Sequence, residues 1–188
     1  MANWNEQSDE GRLLLRPYHL GDGYRIAHLL RCPRVTRWMP SAPRVFSSEY
    51  GESLVEDSRV GLADGRIAIL GVATRAEDTL IGEVSLQFAT GEVSFWLGSE
   101  YWGHGYGREA LGMMMGVGVN EHAISVFRAA VLRGNEHSQK VVEACGFRFS
   151  GLRHAGHGRD RHAWLDYTCV CSPLSPMRRG SFAGKGGV

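Results

Sequence analysis

The sequence predicts an α/β (α+β) fold, and three observations carry that prediction. First, Tyr101-Trp102-Gly103-His104-Gly105-Tyr106-Gly107-Arg108-Glu109-Ala110-Leu111 sets three glycines at alternate positions between an apolar strand-like run, Val93–Leu97, and an apolar helix-like run. Second, residues 83–88 alternate strictly, with Val84, Leu86 and Phe88 on one face and Glu83, Ser85 and Gln87 on the other, which is the period of a half-buried strand. Third, the elements follow in the order strand, two helices, three strands, helix, strand, helix, two strands, or about seven strands and four helices. A chain of 188 residues fits one domain. It is assigned to residues 1–171, and residues 172–188, rich in glycine and with Arg178-Arg179, are expected to be a disordered tail.

Leu13-Leu14-Leu15-Arg16 reads as a first strand ended by Pro17. Asp22 is the expected cap of a helix carrying Ile26, Leu29 and Leu30 at helical spacing, which Cys32-Pro33 stops. Residues 34–46 mix arginines, prolines and Trp38 without a period and read as a loop. Ser48 is the expected cap of a second helix through Leu54 and Val55. Ile67–Ala73, Thr79–Phe88 and Glu92–Leu97, separated by Arg75–Asp78 and Thr90-Gly91, form a three-strand meander. A helix with Met113-Met114-Met115 follows the glycines, then a strand at Val126–Leu132. Asn135–Ser138 open a helix that Gly146 stops, and Phe149–Leu152 and Ala163–Val170 flank a turn at His157–Asp160.

Composition excludes several classes. Apolar residues at 43% and a net charge of +1 describe a globular chain without the basic excess of a nucleic-acid binder. No apolar run reaches the length of a membrane span, and the polar start, Met1–Glu6, is no signal peptide. The four cysteines, Cys32, Cys145, Cys169 and Cys171, form no Cys-x-x-Cys pair and are expected to be reduced in a cytoplasmic protein. His154, His157 and His162 read as a solvated hairpin; no metal site is expected.

Strand, glycine loop, helix is an arrangement that offers unpaired N–H groups and a positive helix end to an anion. The stretch lacks the Lys-Ser/Thr of a Walker loop and the Gly-x-Gly-x-x-Gly spacing of a dinucleotide fingerprint. Residues Trp102–Gly107 instead resemble motif A of the GNAT N-acyltransferases, Arg/Gln-x-x-Gly-x-Gly/Ala, which grips the pyrophosphate of acyl-CoA. Trp102 replaces the usual Arg or Gln, and this Tyr-Trp-Gly-x-Gly form is similar to the ribosomal-protein (RimJ/RimL-like) branch. Arg133–Phe147 resembles the family's Asn-x-x-Ser…Gly-Phe segment, and Leu15-Arg16-Pro17 with Asp22 is a weaker match.

The resemblance implies a mixed, mostly antiparallel sheet splayed between its fourth and fifth strands, with pantetheine pairing along Trp96, Leu97 and Gly98. It implies acetyl-CoA as donor and a primary amine as acceptor, either a protein or peptide N-terminal amine or a small molecule. Trp102, Gly103, His104, Gly105, Tyr106, Gly107 and Arg108 would bind the pyrophosphate, Asn135 the pantetheine arm, and Ser138 the CoA sulfur. Amide formation also needs a base for the amine. Glu92 matches the position several members use, and Glu83 is the alternative. Arg34, Arg37 and Arg44 leave open an acidic acceptor or a succinyl donor, and a non-catalytic acyl-CoA-binding module is the rival reading. The methionine run and the habit of this branch point to a homodimer.

Overall fold

The computed structural model describes residues 6–7, 11–40, 43, 45–156 and 161–171; Arg44, the His157–Asp160 turn and the 172–188 tail lie outside the described residues. The strands are β1 (Glu6–Gln7), β2 (Leu13–Arg16), β3 (Ile67–Thr74), β4 (Leu80–Gln87), β5 (Val93–Leu97), β6 (Val126–Leu132), β7 (Arg148–Ala155) and β8 (His162–Val170). The helices are α1 (Asp22–Leu30), α2 (Pro33–Thr36), α3 (Ser48–Ala63), α4 (Tyr106–His122) and α5 (Glu136–Ala144).

The strands form two sheets, ordered β1-β2-β3-β4-β5 and β6-β8-β7, with all named pairs antiparallel. β5 and β6 touch at one end alone, through a parallel bridge between Glu92 and Arg128. Arg128 N–H donates to Gly91 O at 2.9 Å, and its Nη1 donates to Thr90 O at 2.6 Å. Beyond this hinge the strands diverge, so the expected splay is present and its closed end lies at Glu92.

Two apolar clusters sandwich the first sheet. Leu13, Leu15, Leu70, Val84 and Leu86 pack with Leu111 and Met114 of α4 and with Phe127 of β6, all fully buried. On the other face Tyr18, Ile26, Leu30, Val35, Val55 and Leu80 form a second cluster under α1 and α3. Those two helices cross where Gly23 and Gly51 meet backbone to backbone, an approach that any Cβ would block.

Several local expectations are corrected. Residues 33–36 are helical: Pro33 at the first helical position starts α2, because the N–H it lacks would be unpaired there anyway. The cap of α3 is Ser47, whose Oγ accepts from Tyr50 N–H, and Ser48 is the first helical residue. Gly21 caps α1; the Asp22 carboxylate is taken up by Arg16 at 2.7 Å and by His19 N–H at 2.7 Å. Met114 and Met115 are core residues and Met113 packs against them, so the methionine run offers no free face to a second subunit.

Candidate active site

The glycine loop is held open by its glycines and clamped by an arginine that the sequence reading did not single out. Gly103 and Gly105 both have φ of +82°, a left-handed backbone that other residues adopt at a cost. Gly105 is the cap of α4, and the first helical bond runs from Glu109 N–H to Gly105 O. The N–H groups of Tyr106, Gly107 and Arg108 therefore have no intrahelical partner. Arg12 fixes the loop from below, donating to His104 O at 3.1 Å and to Glu109 Oε2 at 2.6 Å. Glu109 is buried while Arg12 remains half-exposed, so the pair anchors the loop and leaves its N–H groups facing outward.

A cavity of about 630 Å³ runs from this loop into the split between β5 and β6. Register decides what lines it. Gln87 N–H bonds Glu92 O and Gly98 N–H bonds Ile81 O, so the even-numbered residues of β5 turn their backbone groups toward β4. The N–H groups of Val93, Phe95 and Leu97 turn away, toward the cavity. On β6, Arg128 N–H faces β5, so Ala130 presents its backbone to the same gap. The cavity is thus bordered by two strand edges that do not pair with each other. The Leu97 carbonyl is engaged, accepting from Trp102 Nε1 at 2.8 Å.

Of the residues expected to bind CoA, Trp96, Leu97, Trp102, Gly103, Gly105, Tyr106, Gly107, Arg108, Asn135 and Ser138 line this cavity. His104 and Gly98 do not: His104 is exposed beside Tyr106, and the Gly98 N–H is spent inside the sheet. Asn135 caps α5, its Oδ1 accepting from Ser138 N–H at 3.3 Å, and its side-chain amide remains for the cavity. His137 and Lys140, on the α5 wall, also line it and had not been predicted; they follow from the helical spacing of a cap at 135.

The two candidate carboxylates part company. Glu83 pairs with Trp96 across β4 and β5 and lines the cavity. Its Oε2 accepts from the hydroxyl of Tyr18, a buried side chain, at 2.6 Å. Burial raises the Glu83 pKa above the ordinary carboxylate value, and hydrogen bonds from Tyr18 and Trp96 offset part of that rise. Burial and the nearby Glu83 charge hold the Tyr18 hydroxyl protonated far above its usual range. Glu92 is exposed at the hinge of the split and lines a separate groove with Arg128, Arg153 and Asp166. The hinge that closes β5 on β6 is what keeps Glu92 out of the main cavity.

The far wall comes from elements read as an irregular loop. Val35 of α2, Trp38, Met39 and Pro40 after it, and Tyr50 of α3 line the cavity opposite the glycine loop. Trp38 reaches the β6–α5 turn, its Cη2 lying 4.0 Å from where a Cβ on Gly134 would be. Arg34 stacks on Trp102 at 5.3 Å and Arg37 on Trp38 at 4.4 Å; neither lines the cavity. Among the described residues no cluster of His, Cys, Asp or Glu could hold a metal, and no helix is long and apolar enough to cross a membrane.

Comparison with known proteins gives the same picture. The ribosomal-protein-S5-alanine acetyltransferase of Vibrio fischeri superposes with a TM-score of 0.75 at 22% identity, covering 88% of this chain and 96% of that one. RimJ of Mycobacterium smegmatis, in complex with CoA-disulfide, gives 0.76 at 18% identity, covering 89% and 88%. The microcin C7 self-immunity acetyltransferase MccE, in complex with acetyl-CoA and AMP, gives 0.71 at 18%, covering 85% and 92%. The sequence matches none of the curated proteins with which it was compared. The family model for the acetyltransferase (GNAT) domain matches residues 12–148, most of the chain and all of the cavity's walls except Trp164, and so the chain belongs to the GNAT acetyltransferase family.

Proposed function

We propose that this chain transfers an acetyl group from acetyl-CoA to a primary amine by direct attack in a ternary complex. One observation carries the reading: a single cavity joins an open helix N-terminus, two unpaired strand edges and a half-buried carboxylate. The first part suits a pyrophosphate, with the N–H groups of Tyr106–Arg108 and the Arg108 side chain as partners. The second suits the amides of pantetheine, which can pair along β5 as an added strand. The third suits the amine.

In this reading the thioester lies along β5, and the Leu97 N–H, turned into the split, donates to its carbonyl oxygen as charge builds there. The amine nitrogen attacks the carbonyl carbon. As the N–C bond forms, Glu83 takes a proton from nitrogen, and the C–S bond then breaks to release the CoA thiolate. We assign the base to Glu83 in preference to Glu92, since a base must reach the reacting nitrogen directly or through one water. Burial raises the Glu83 pKa, in the direction that improves that match. Ser138 stands at the α5 wall with a hydroxyl that can hydrogen-bond the departing sulfur.

The free thiols of the described residues fit a reducing, cytoplasmic setting. For a homodimer the support is the exposed apolar side chains of the second sheet, Phe149, Leu152 and Val170. For a succinyl donor, Arg34 and Arg37 stand outside the cavity and Arg44 lies outside the described residues. The direct test is to incubate the protein with acetyl-CoA and a panel of primary amines, including short peptides, and to follow CoA release and product mass. Acetylated amine with matching thiol release is expected. Tight acetyl-CoA binding without transfer to any amine would instead support a non-catalytic acyl-CoA-binding module.

A further inference from the structure

We propose that the acceptor is an apolar primary amine, an alkyl- or aralkylamine with no acidic group beside its nitrogen. This rests on the acetyl-transfer reading and names the acceptor for the same cavity. Charge and apolar surface are unevenly distributed over the cavity's lining.

The arginine and lysine that line the cavity, Arg108 and Lys140, belong to α4 and α5, beside the glycine loop where the phosphates of the donor would lie. Among the described residues, the rest of the lining holds a single carboxylate, Glu83, and no cation. Glu83 pairs with Trp96, and Val35, Trp38, Met39 and Tyr50 line the same cavity. Four of these five, all but Trp38, belong to the apolar cluster beneath α1 and α3, so this wall is an extension of a hydrophobic core. Of the arginines that sequence alone offered as anion receptors, Arg34 lies on the Trp102 ring and Arg37 on the Trp38 ring, while Arg44 is outside the described residues. Arg25 is tied to Leu80 O at 3.0 Å and to Tyr101 Oη at 2.8 Å.

The consequences for an acceptor are physical. An ammonium entering this part of the cavity meets aromatic faces and one carboxylate, both attractive to a cation. Its apolar body replaces water against Val35, Met39 and Trp38. A carboxylate or phosphate next to the nitrogen would lie beside Glu83 with no positive partner, in surroundings that screen charge poorly. A short polar amine would leave the aromatic wall wet. The ammonium first gives up one proton to water; the free amine then attacks, a second proton passes from nitrogen to Glu83 as the N–C bond forms, and the C–S bond breaks to release the CoA thiolate.

The test compares kcat/KM, expressed per free amine, for 2-phenylethylamine, phenylalanine, ethanolamine and aspartate with the full-length protein and acetyl-CoA. Phenylalanine adds only a carboxylate to phenylethylamine, and ethanolamine removes the apolar body. We expect phenylethylamine to exceed each of the others by at least about tenfold, the scale on which pockets sort groups of this size. Trp38→Ala should raise the KM for phenylethylamine and narrow its advantage over ethanolamine. Equal or reversed ratios with acetyl transfer intact would overturn the acceptor class and leave the proposed function standing. If no amine is acetylated while calorimetry shows acetyl-CoA bound, both fall.

Discussion

At Glu83, burial and hydrogen bonding pull in opposite directions, and burial wins: the pKa rises from its ordinary 4.5. A carboxyl whose folded-state pKa exceeds its unfolded value holds its proton to higher pH in the folded state. Its burial therefore costs nothing below about pH 4.5, and the cost grows as pH rises through the folded pKa. Glu83→Gln should then gain stability relative to the parent as pH is raised from 4 to 7, while it loses activity. Chemical denaturation at the two pH values measures this, and an equal stability difference at both would show that Glu83 is not desolvated. Tyr18 can be tested alone. Tyr18→Phe removes the 2.6 Å hydrogen bond that stabilises the carboxylate, so the acidic limb of the pH–rate profile should move to higher pH. A profile that stays in place would reduce Tyr18 to a packing residue.

Among the elements, α4 holds the proposed donor site in its first turn. Gly105→Asp adds a side chain to a backbone at φ +82° and a negative charge where an anion should sit. Calorimetry should show CoA binding lost, with the fold retained by circular dichroism. Arg12→Ala removes the clamp on His104 O and leaves the buried Glu109 carboxylate without its partner. A loss of roughly 1–3 kcal/mol in stability is expected from a buried acceptor so abandoned, together with weaker CoA affinity; denaturant melts and titration check the two separately. The glycine loop, the β3–β5 meander and the cap at Asn135 were legible in the sequence because each is a local pattern of short period. α2 was not, since four residues are too few to show a helical period and Pro33 reads as a stop when it is in fact a start. Adjacent serines concealed which of Ser47 and Ser48 caps α3, and backbone geometry decides it.

For the whole molecule, the proposed acceptor wall could not be read from the chain, because Tyr18 meets Glu83, and Val35 and Tyr50 join one apolar cluster, only after the helices fold over the first sheet. That Glu92 stands at the hinge and outside the main cavity was hidden for the same reason: sequence gives the alternation of β5, but not the end at which β6 joins it. The split between the two sheets, with the donor along β5 and Glu83 beyond its end, is the centre of the account. A pH–rate profile of kcat/KM for Glu83→Gln and Glu92→Gln with one good amine tests it most directly. The account predicts that Glu83→Gln falls by roughly 10²–10⁴-fold at neutral pH, the usual worth of a general base, and recovers toward high pH where free amine abounds. Glu92→Gln should keep the parent's profile and CoA affinity. A parent-like rate for Glu83→Gln, with the loss transferred to Glu92→Gln, would contradict it.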